Sequence, residues 1–143
     1  MATQILYSTD FSEISAHAFD EAVKLAKLMG AELVIGHVLH FPPMLSDLPA
    51  MTEETEDSMR LWCTHRLDEL AARAEAAGVK SRTALREGAH AHAGITKLAE
   101  ETNALMIVLG THGRTGLSKL VLGSAAARVI TEAPCPVLTV RAK

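Results

Sequence analysis

The chain has 143 residues, 48% of them hydrophobic, with only one Trp, one Tyr and three Phe, and its formal net charge is -3. This length fits a single domain over residues 1–143, and a core of Ala, Val, Leu and Ile favours helices packed closely on a sheet. The scattered lysines and arginines argue against nucleic acid as a partner, and no apolar run approaches the ~20 residues that span a bilayer.

The N-terminal segment predicts a strand followed by a helix. Residues 5–9 form a short apolar run with no basic leader before it, so we expect a cytoplasmic protein without membrane insertion. Apolar residues recur at helical spacing over residues 18–29 and predict the first helix. Ser12 or Ser15 would cap the start of this helix, and Gly30 would end it in the left-handed conformation.

The middle of the chain predicts two more strands around the longest helix. Residues 33–39 form a second buried run. From about residue 52 to residue 77, apolar side chains recur in steps of four and three, which predicts a helix that stops at Gly78. Residues 79–86 alternate in a half-polar pattern that is expected of a strand at the margin of a sheet.

The last third of the chain repeats the alternation of helix and strand. Apolar spacing predicts a short helix over residues 91–102, and residues 105–109 predict a strand that leads into a glycine-rich segment. A helix from about residue 124 to 131 and a strand over residues 137–140 complete the chain. Two prolines separate them, since proline neither continues a helix nor donates to a strand ladder.

The alternating order of five strands and four helices predicts a doubly wound α/β sheet. Crossover helices require largely parallel strands with both faces covered. In such sheets, ligands bind beyond the carboxyl ends of the strands, where the strand order reverses. With the order 3-2-1-4-5, this crevice lies between the first and fourth strands, which end at Asp10 and Gly110.

The segment after the fourth predicted strand has the pattern Gly110-x2-Gly113-x9-Gly123-Ser124. Glycines after a buried strand, followed by a glycine and a hydroxyl that open a helix, allow backbone N–H groups to surround an anion. The spacing matches neither the GxGxxG dinucleotide loop nor a P-loop. The segment therefore forms either a phosphate cradle of another kind or two ordinary turns and a helix cap.

Side chains near these positions each allow two interpretations. Asp10 either accepts hydrogen bonds from a ribose hydroxyl or a base amino group, or caps the following helix. Arg114 and His112 either meet phosphate or serve the loop itself. The sequence predicts no protein-built metal site, and any magnesium would arrive with nucleotide phosphates. No serine elbow or Cys–His pair indicates covalent catalysis.

Several sequence marks together resemble those of the universal stress protein family over essentially the whole chain. The resemblance implies a five-stranded sheet of order 3-2-1-4-5 with helices on both faces, as in Rossmann-like and adenine nucleotide alpha hydrolase-like folds. It also implies ATP binding in members that keep this glycine pattern. The marks are Ile5-Leu6-Tyr7, Thr9-Asp10-Phe11-Ser12-Glu13, His37-Val38, Gly110-Thr111-His112-Gly113-Arg114-Thr115-Gly116, Gly123-Ser124 and Ala133-Pro134-Cys135-Pro136-Val137-Leu138.

The resemblance further implies a role for each matching residue. Asp10 and the backbone of Val38 would hold adenine. Leu109 and Gly110 would line the ribose, although Val38 and Leu109 also fit plain core positions. The later glycines and the start of the last helix would hold the phosphates. The full set of predicted ATP-binding residues is Thr9, Asp10, Val38, Leu109, Gly110, His112, Gly113, Arg114, Gly123, Ser124 and Ala125.

The leading hypothesis is an ATP-binding stress-response protein that acts through nucleotide-dependent homo-oligomers and contacts with a protein client. The resemblance implies homodimers joined through the last strand, Val137 to Val140, which would otherwise leave an unpaired edge, and it leaves further pairing into tetramers open. Two alternatives remain. One is a slow ATPase or nucleotidyl-transfer enzyme, and the other is a nucleotide-free dimerisation module.

Overall fold

The computed structural model describes residues 3–41, 52–111 and 122–141 of the chain. Strands and helices alternate along these residues, and no helix within them is both long and apolar enough to cross a bilayer. In chain order the elements are β1 (Gln4–Ser8), α1 (Glu13–Met29), β2 (Glu32–Leu39), α2 (Glu53–Ala76), β3 (Ser81–Glu87), α3 (Ala91–Thr102), β4 (Met106–Gly110), α4 (Ser124–Glu132) and β5 (Val137–Val140).

The five strands form one parallel sheet in the order β3-β2-β1-β4-β5. β1 lies at its centre, with Ser8 opposite Gly36 of β2 and Tyr7 opposite Val108 of β4. The chain therefore changes its direction of strand addition between β1 and β4. This topology confirms the predicted doubly wound sheet and its switch point between the first and fourth strands.

Side chains alternate between the two faces of the sheet and build two cores. On one face, Ile5 shares a buried cluster with Phe19 of α1 and Leu67 of α2. On the other face, Leu6 shares a buried cluster with Leu98 of α3 and with α4. Because helices cover both faces, the central strands are continuous apolar runs rather than alternating ones.

Local sequence signals set the ends of α1 and α2. Ser12, and not Ser15, is the N-cap of α1, and its hydroxyl accepts a hydrogen bond from the Ser15 amide at 3.2 Å. Gly30 ends α1 with a φ of 63°, in the left-handed conformation that the sequence predicts. Thr52 caps α2 in the same way by accepting from the Thr55 amide.

Most of the other strand ends differ from the predictions by one residue, and β3 starts at Ser81, two residues after its predicted start. β4 starts at Met106 rather than at Leu105, although the Leu105 amide already donates to the Gln4 carbonyl of β1 at 2.8 Å. α4 continues to Glu132, one residue beyond its predicted end. β3 lies at the edge of the sheet, as its half-polar pattern indicates. The pattern thus predicts the type and position of each element more accurately than its terminal residues.

Helix α3 approaches β2 closely because Gly94 has no side chain. A Cβ atom at Gly94 would lie 2.7 Å from Cγ2 and 2.9 Å from Cγ1 of Val38. The two methyl groups belong to a β-branched side chain with restricted χ1, so they have little freedom to move aside. This packing buries Val38 at the carboxyl end of β2, close to the switch point.

Candidate functional site

The crevice at the switch point collects residues from three parallel strands. Thr9 continues the β1 ladder, because its amide donates to the Gly36 carbonyl of β2 at 2.9 Å. On the other side, the register of β1 with β4 brings the residues after β1 level with Gly110. Asp10, the backbone of Val38 and Gly110 therefore lie at the carboxyl ends of three neighbouring strands. The topology predicted this place for Asp10 and Gly110, and the resemblance implied it for Val38.

Asp10 belongs to a tight turn between β1 and α1. Its side chain is half-buried, and Oδ1 accepts a hydrogen bond from the Ser12 amide at 2.9 Å. The helix cap itself is Ser12, so the carboxylate orients the turn before α1 rather than capping the helix. The sequence left capping of α1 open as an alternative role for Asp10, and in the structure Ser12 has that role.

Thr9 has a partner within the protein at each of its polar groups. Its Oγ1 accepts from the Phe11 amide at 2.9 Å and from the Ser15 hydroxyl at 2.8 Å. The ring Nδ1 of His37 lies 2.6 Å from its carbonyl oxygen. With 5% of its surface exposed, Thr9 shapes the turn rather than offering its side chain to a ligand.

A buried tyrosine extends this hydrogen-bonded group into the core. The Tyr7 hydroxyl donates to the Ser15 carbonyl at 2.7 Å and lies 2.8 Å from the Ser15 hydroxyl. Burial raises the pKa of Tyr7 above its usual range, so the hydroxyl keeps its proton and remains a donor. The start of α1 is thereby tied to β1 through side chains as well as through the chain itself.

Phe11 holds the turn in an unusual backbone conformation. Its φ is 65°, in the left-handed region that bulky side chains rarely adopt, at a cost of about 1–3 kcal/mol. Its ring packs on His37 with centroids 4.5 Å apart and meets the edge of Trp62 at 5.3 Å. The Arg66 guanidinium lies 5.7 Å from the ring centre. These contacts, together with the Thr9 bond, offset the strain.

A cavity of about 430 Å³ lies between the end of β2 and α2. Its walls include the side chains of His37, Met59, Trp62 and Cys63. Cys63 is buried and Trp62 is 50% exposed, so the cavity reaches from the sheet to the surface of α2.

The start of α4 supplies backbone donors to the opposite side of the crevice. Gly123 occupies the N-cap position, and α4 has no side-chain cap. The Gly123 amide donates to the Thr111 carbonyl at 2.6 Å, and the first intrahelical bond runs from Ala127 to the Gly123 carbonyl. The amides of residues 124–126 therefore precede the helical ladder, where the helix dipole favours an anion. The Gly123 amide itself is used within the protein, by the Thr111 carbonyl.

Gly110 allows α1 to pack closely against the end of β4, a role that the glycine pattern does not predict. A Cβ atom at this position would lie 3.1 Å from Cγ2 of Ile14, in the first turn of α1. The missing side chain thus lets α1 come close to the end of β4. Leu109 and Val38 are both buried in the core on the α3 and α4 face, so only their backbone groups are placed to meet a ligand.

Three of the predicted site residues, His112, Gly113 and Arg114, lie outside the described residues. Within the described ranges, no group of three or more His, Cys, Asp or Glu residues could hold a metal ion. The sequence did not predict the roles of Phe11 and His37. Both residues lie within the family marks, and His37 is a histidine in an otherwise apolar strand, but neither signal indicates which contacts these side chains make.

Comparisons with known proteins agree with the geometry. A family model described as the universal stress protein family matches residues 1–141. The universal stress protein MJ0531 of Methanocaldococcus jannaschii is 37% identical over 140 residues, which cover 96% of this chain and 81% of that protein. The solved structure of the protein MJ0577 gives a TM-score of 0.83 at 27% identity, covering 100% of this chain and 98% of that one.

A further similar solved structure is that of a complex with a nucleotide. It is a universal stress protein in complex with cAMP, with a TM-score of 0.71 and 25% identity, covering 98% of this chain and 97% of that one.

Replacing Phe11 tests whether its backbone is strained. Phe11→Gly and Phe11→Ala both remove the ring contacts, but alanine keeps the cost of a positive φ. We expect the glycine variant to be the more stable of the two by about 0.5–1 kcal/mol, because relief of strain exceeds the entropy that glycine adds to the unfolded chain. Urea denaturation of both variants measures this difference. An alanine variant as stable as the glycine variant would show an unstrained turn.

Proposed function

The chain belongs to the universal stress protein family, and from this premise we propose that it binds an adenine nucleotide, with ATP as the physiological ligand, in the crevice between β1 and β4. One observation carries the proposal. A half-buried carboxylate, Asp10, follows β1, and the uncapped N-terminus of α4 follows β4 on the other side of the switch point.

The two sides of the crevice suit opposite ends of a nucleotide. A carboxylate accepts hydrogen bonds only, so Asp10 suits ribose hydroxyls or the adenine amino group and would repel phosphates. The backbone of Val38 completes the adenine end, while Leu109 and Gly110 line the ribose. The phosphates lie at the amides of Ser124 and Ala125, on the positive end of α4.

Residues of the glycine-rich segment before α4 would complete the proposed phosphate site. Gly113 would allow the backbone to approach the phosphates, and Gly123 would set the entry into the helix. His112 and Arg114 would add hydrogen bonds and positive charge. Any magnesium ion would be held mainly by the nucleotide phosphates, since Mg²⁺ commonly binds with its substrate phosphates and several waters.

A relative supports the choice of ligand class. The universal stress protein in complex with cAMP has 25% sequence identity with this chain and matches its fold over almost its whole length. Cyclic AMP has the adenine, the ribose and one phosphate of ATP, so it supports an adenine nucleotide without distinguishing among members of that class.

We further propose that the protein acts as a cytoplasmic regulator through homodimers joined at β5. β5 lies at one end of the strand order, and its Leu138 is 37% exposed. An exposed edge strand is stabilised by pairing with a second copy. Nucleotide would regulate this assembly, and hence contacts with a client protein, if it binds two assembly states with different affinity.

Replacing Asp10 with asparagine tests the adenosine end of the proposed site. An amide oxygen can still accept from the Ser12 backbone, so the turn is retained, but the negative acceptor is lost. We expect ATP affinity to fall about tenfold, since hydrogen bonds to charged groups contribute about 1.5–3 kcal/mol. Isothermal titration calorimetry with ATP and Mg²⁺ measures the change.

The matched control is Asp68→Asn, which makes the same charge change on an exposed position of α2. Asp68→Asn should leave ATP affinity unchanged. Wild-type protein that binds neither ATP, AMP nor cAMP would contradict the proposed function. A variant of Asp10 that binds as well as wild type would remove this residue from the site.

Replacing Ser124 with proline tests the phosphate end. Proline suits the first position of a helix, and Gly123 has the extended conformation (ψ 148°) that a residue before proline requires. The change therefore removes one amide donor while α4 is retained. We expect about a fivefold to tenfold loss of ATP affinity and no loss of adenosine affinity.

Ser124→Ala, which removes only the hydroxyl, is the control for this measurement. If the proline variant loses adenosine affinity to the same extent as ATP affinity, the phosphates do not lie at α4.

A further inference from the structure

His37 is a buried polar residue near the carboxyl end of β2. It lies in β2, with 8% of its surface exposed, among neighbours that are otherwise apolar. Its Nδ1 lies 2.6 Å from the Thr9 carbonyl oxygen. Because a carbonyl only accepts, Nδ1 carries the hydrogen in this bond. Thr9 and His37 are 28 residues apart in the chain, so the bond joins two separate strands.

The same imidazole also supports the residue on the other side of Asp10. Its ring packs against Phe11 with centroids 4.5 Å apart and an angle of 36° between the planes. His37 thus contacts both chain neighbours of Asp10, Thr9 through a hydrogen bond and Phe11 through its ring.

The turn needs this support because its backbone is strained. Phe11 has a positive φ, which persists only where surrounding contacts determine the conformation. The cavity of about 430 Å³ between β2 and α2 is lined by His37 itself. If the bond to Thr9 were lost, the imidazole could shift into this space, its contact with the strained Phe11 would change, and the Asp10 carboxylate would move with the turn.

We propose that His37 is a positioning residue for the nucleotide site: its Nδ1–H bond to the Thr9 carbonyl holds the β1–α1 turn so that the Asp10 carboxylate faces the adenosine part of the ligand. This inference rests on the proposed function of the crevice. It assigns His37 to the adenosine end, so the phosphate end at α4 does not depend on it.

Asparagine and leucine at this position separate the hydrogen bond from side-chain size. Asparagine places an amide nitrogen at the position of Nδ1 and keeps the donor. Leucine has nearly the same shape as asparagine but no donor. Both remove the imidazole ring. We expect His37→Asn to bind adenosine within about threefold of wild type and His37→Leu to bind about tenfold more weakly, because the buried Thr9 carbonyl loses its partner.

The sole tryptophan provides a second readout that needs no nucleotide. Trp62 meets the Phe11 ring edge-on at 5.3 Å, so its fluorescence reports the position of the turn. We expect the emission maximum of His37→Asn to stay at the wild-type wavelength and that of His37→Leu to move to longer wavelength. A purely structural histidine would lower the stability of both variants without separating them in adenosine affinity or emission.

Equal adenosine affinity and equal emission in the two folded variants would overturn the inference. If His37→Leu does not fold, His37→Phe replaces it, since phenylalanine keeps a ring against Phe11 and removes the donor, and the same loss is expected. A wild-type protein that binds no adenosine or ATP would refute the proposed function instead. The emission of the nucleotide-free variants would then still decide whether the bond holds the turn.

Discussion

The placement of Asp10 depends on one hydrogen-bonded turn at the end of the central strand. Thr9 bonds to β2 through its amide and to α1 through its hydroxyl, and the Phe11 amide closes the turn on the same hydroxyl. Within this set of bonds, the backbone at Phe11 lies in the left-handed region. A strained conformation is therefore maintained at the end of the sheet where doubly wound proteins in general bind their ligands.

The doubly wound topology explains why the β1–α1 turn, which carries a negative charge, lies opposite the positive N-terminal end of α4. β1 and β4 are neighbours in space but are far apart in the chain, so the β1–α1 turn and the start of α4 meet across the crevice. One side presents a carboxylate and the other presents backbone donors at the positive end of a helix dipole. A ligand with a hydroxyl-bearing sugar at one end and phosphates at the other is complementary to this arrangement.

The sequence predicts the fold well because local and global signals agree. Apolar runs, the Ser12 cap and the Gly30 terminus indicate each element, and the alternation of elements then requires parallel strands. The general location of the site follows as well, since Asp10 and Gly110 end the two strands at the switch point. The strand order 3-2-1-4-5, on which this location depends, came from the resemblance, since five apolar runs alone do not determine it.

The contacts that shape the site could not be predicted, because they join residues that are distant in the chain. The His37–Thr9 bond and the packing of Ile14 against Gly110 depend on how strands and helices come together. The positive φ of Phe11 has no local signal, since phenylalanine is a poor residue for that conformation. The Gly123 amide, which the glycine pattern assigns to a ligand, is instead used by the Thr111 carbonyl.

The crystal structure of the complex with ATP and Mg²⁺ tests the account most directly. The account predicts a ribose hydroxyl or the adenine amino group about 3 Å from the Asp10 carboxylate, phosphates at the first amides of α4, and Phe11 still in the left-handed conformation. Phosphates beside Asp10, or a nucleotide bound away from the ends of β1 and β4, would contradict it.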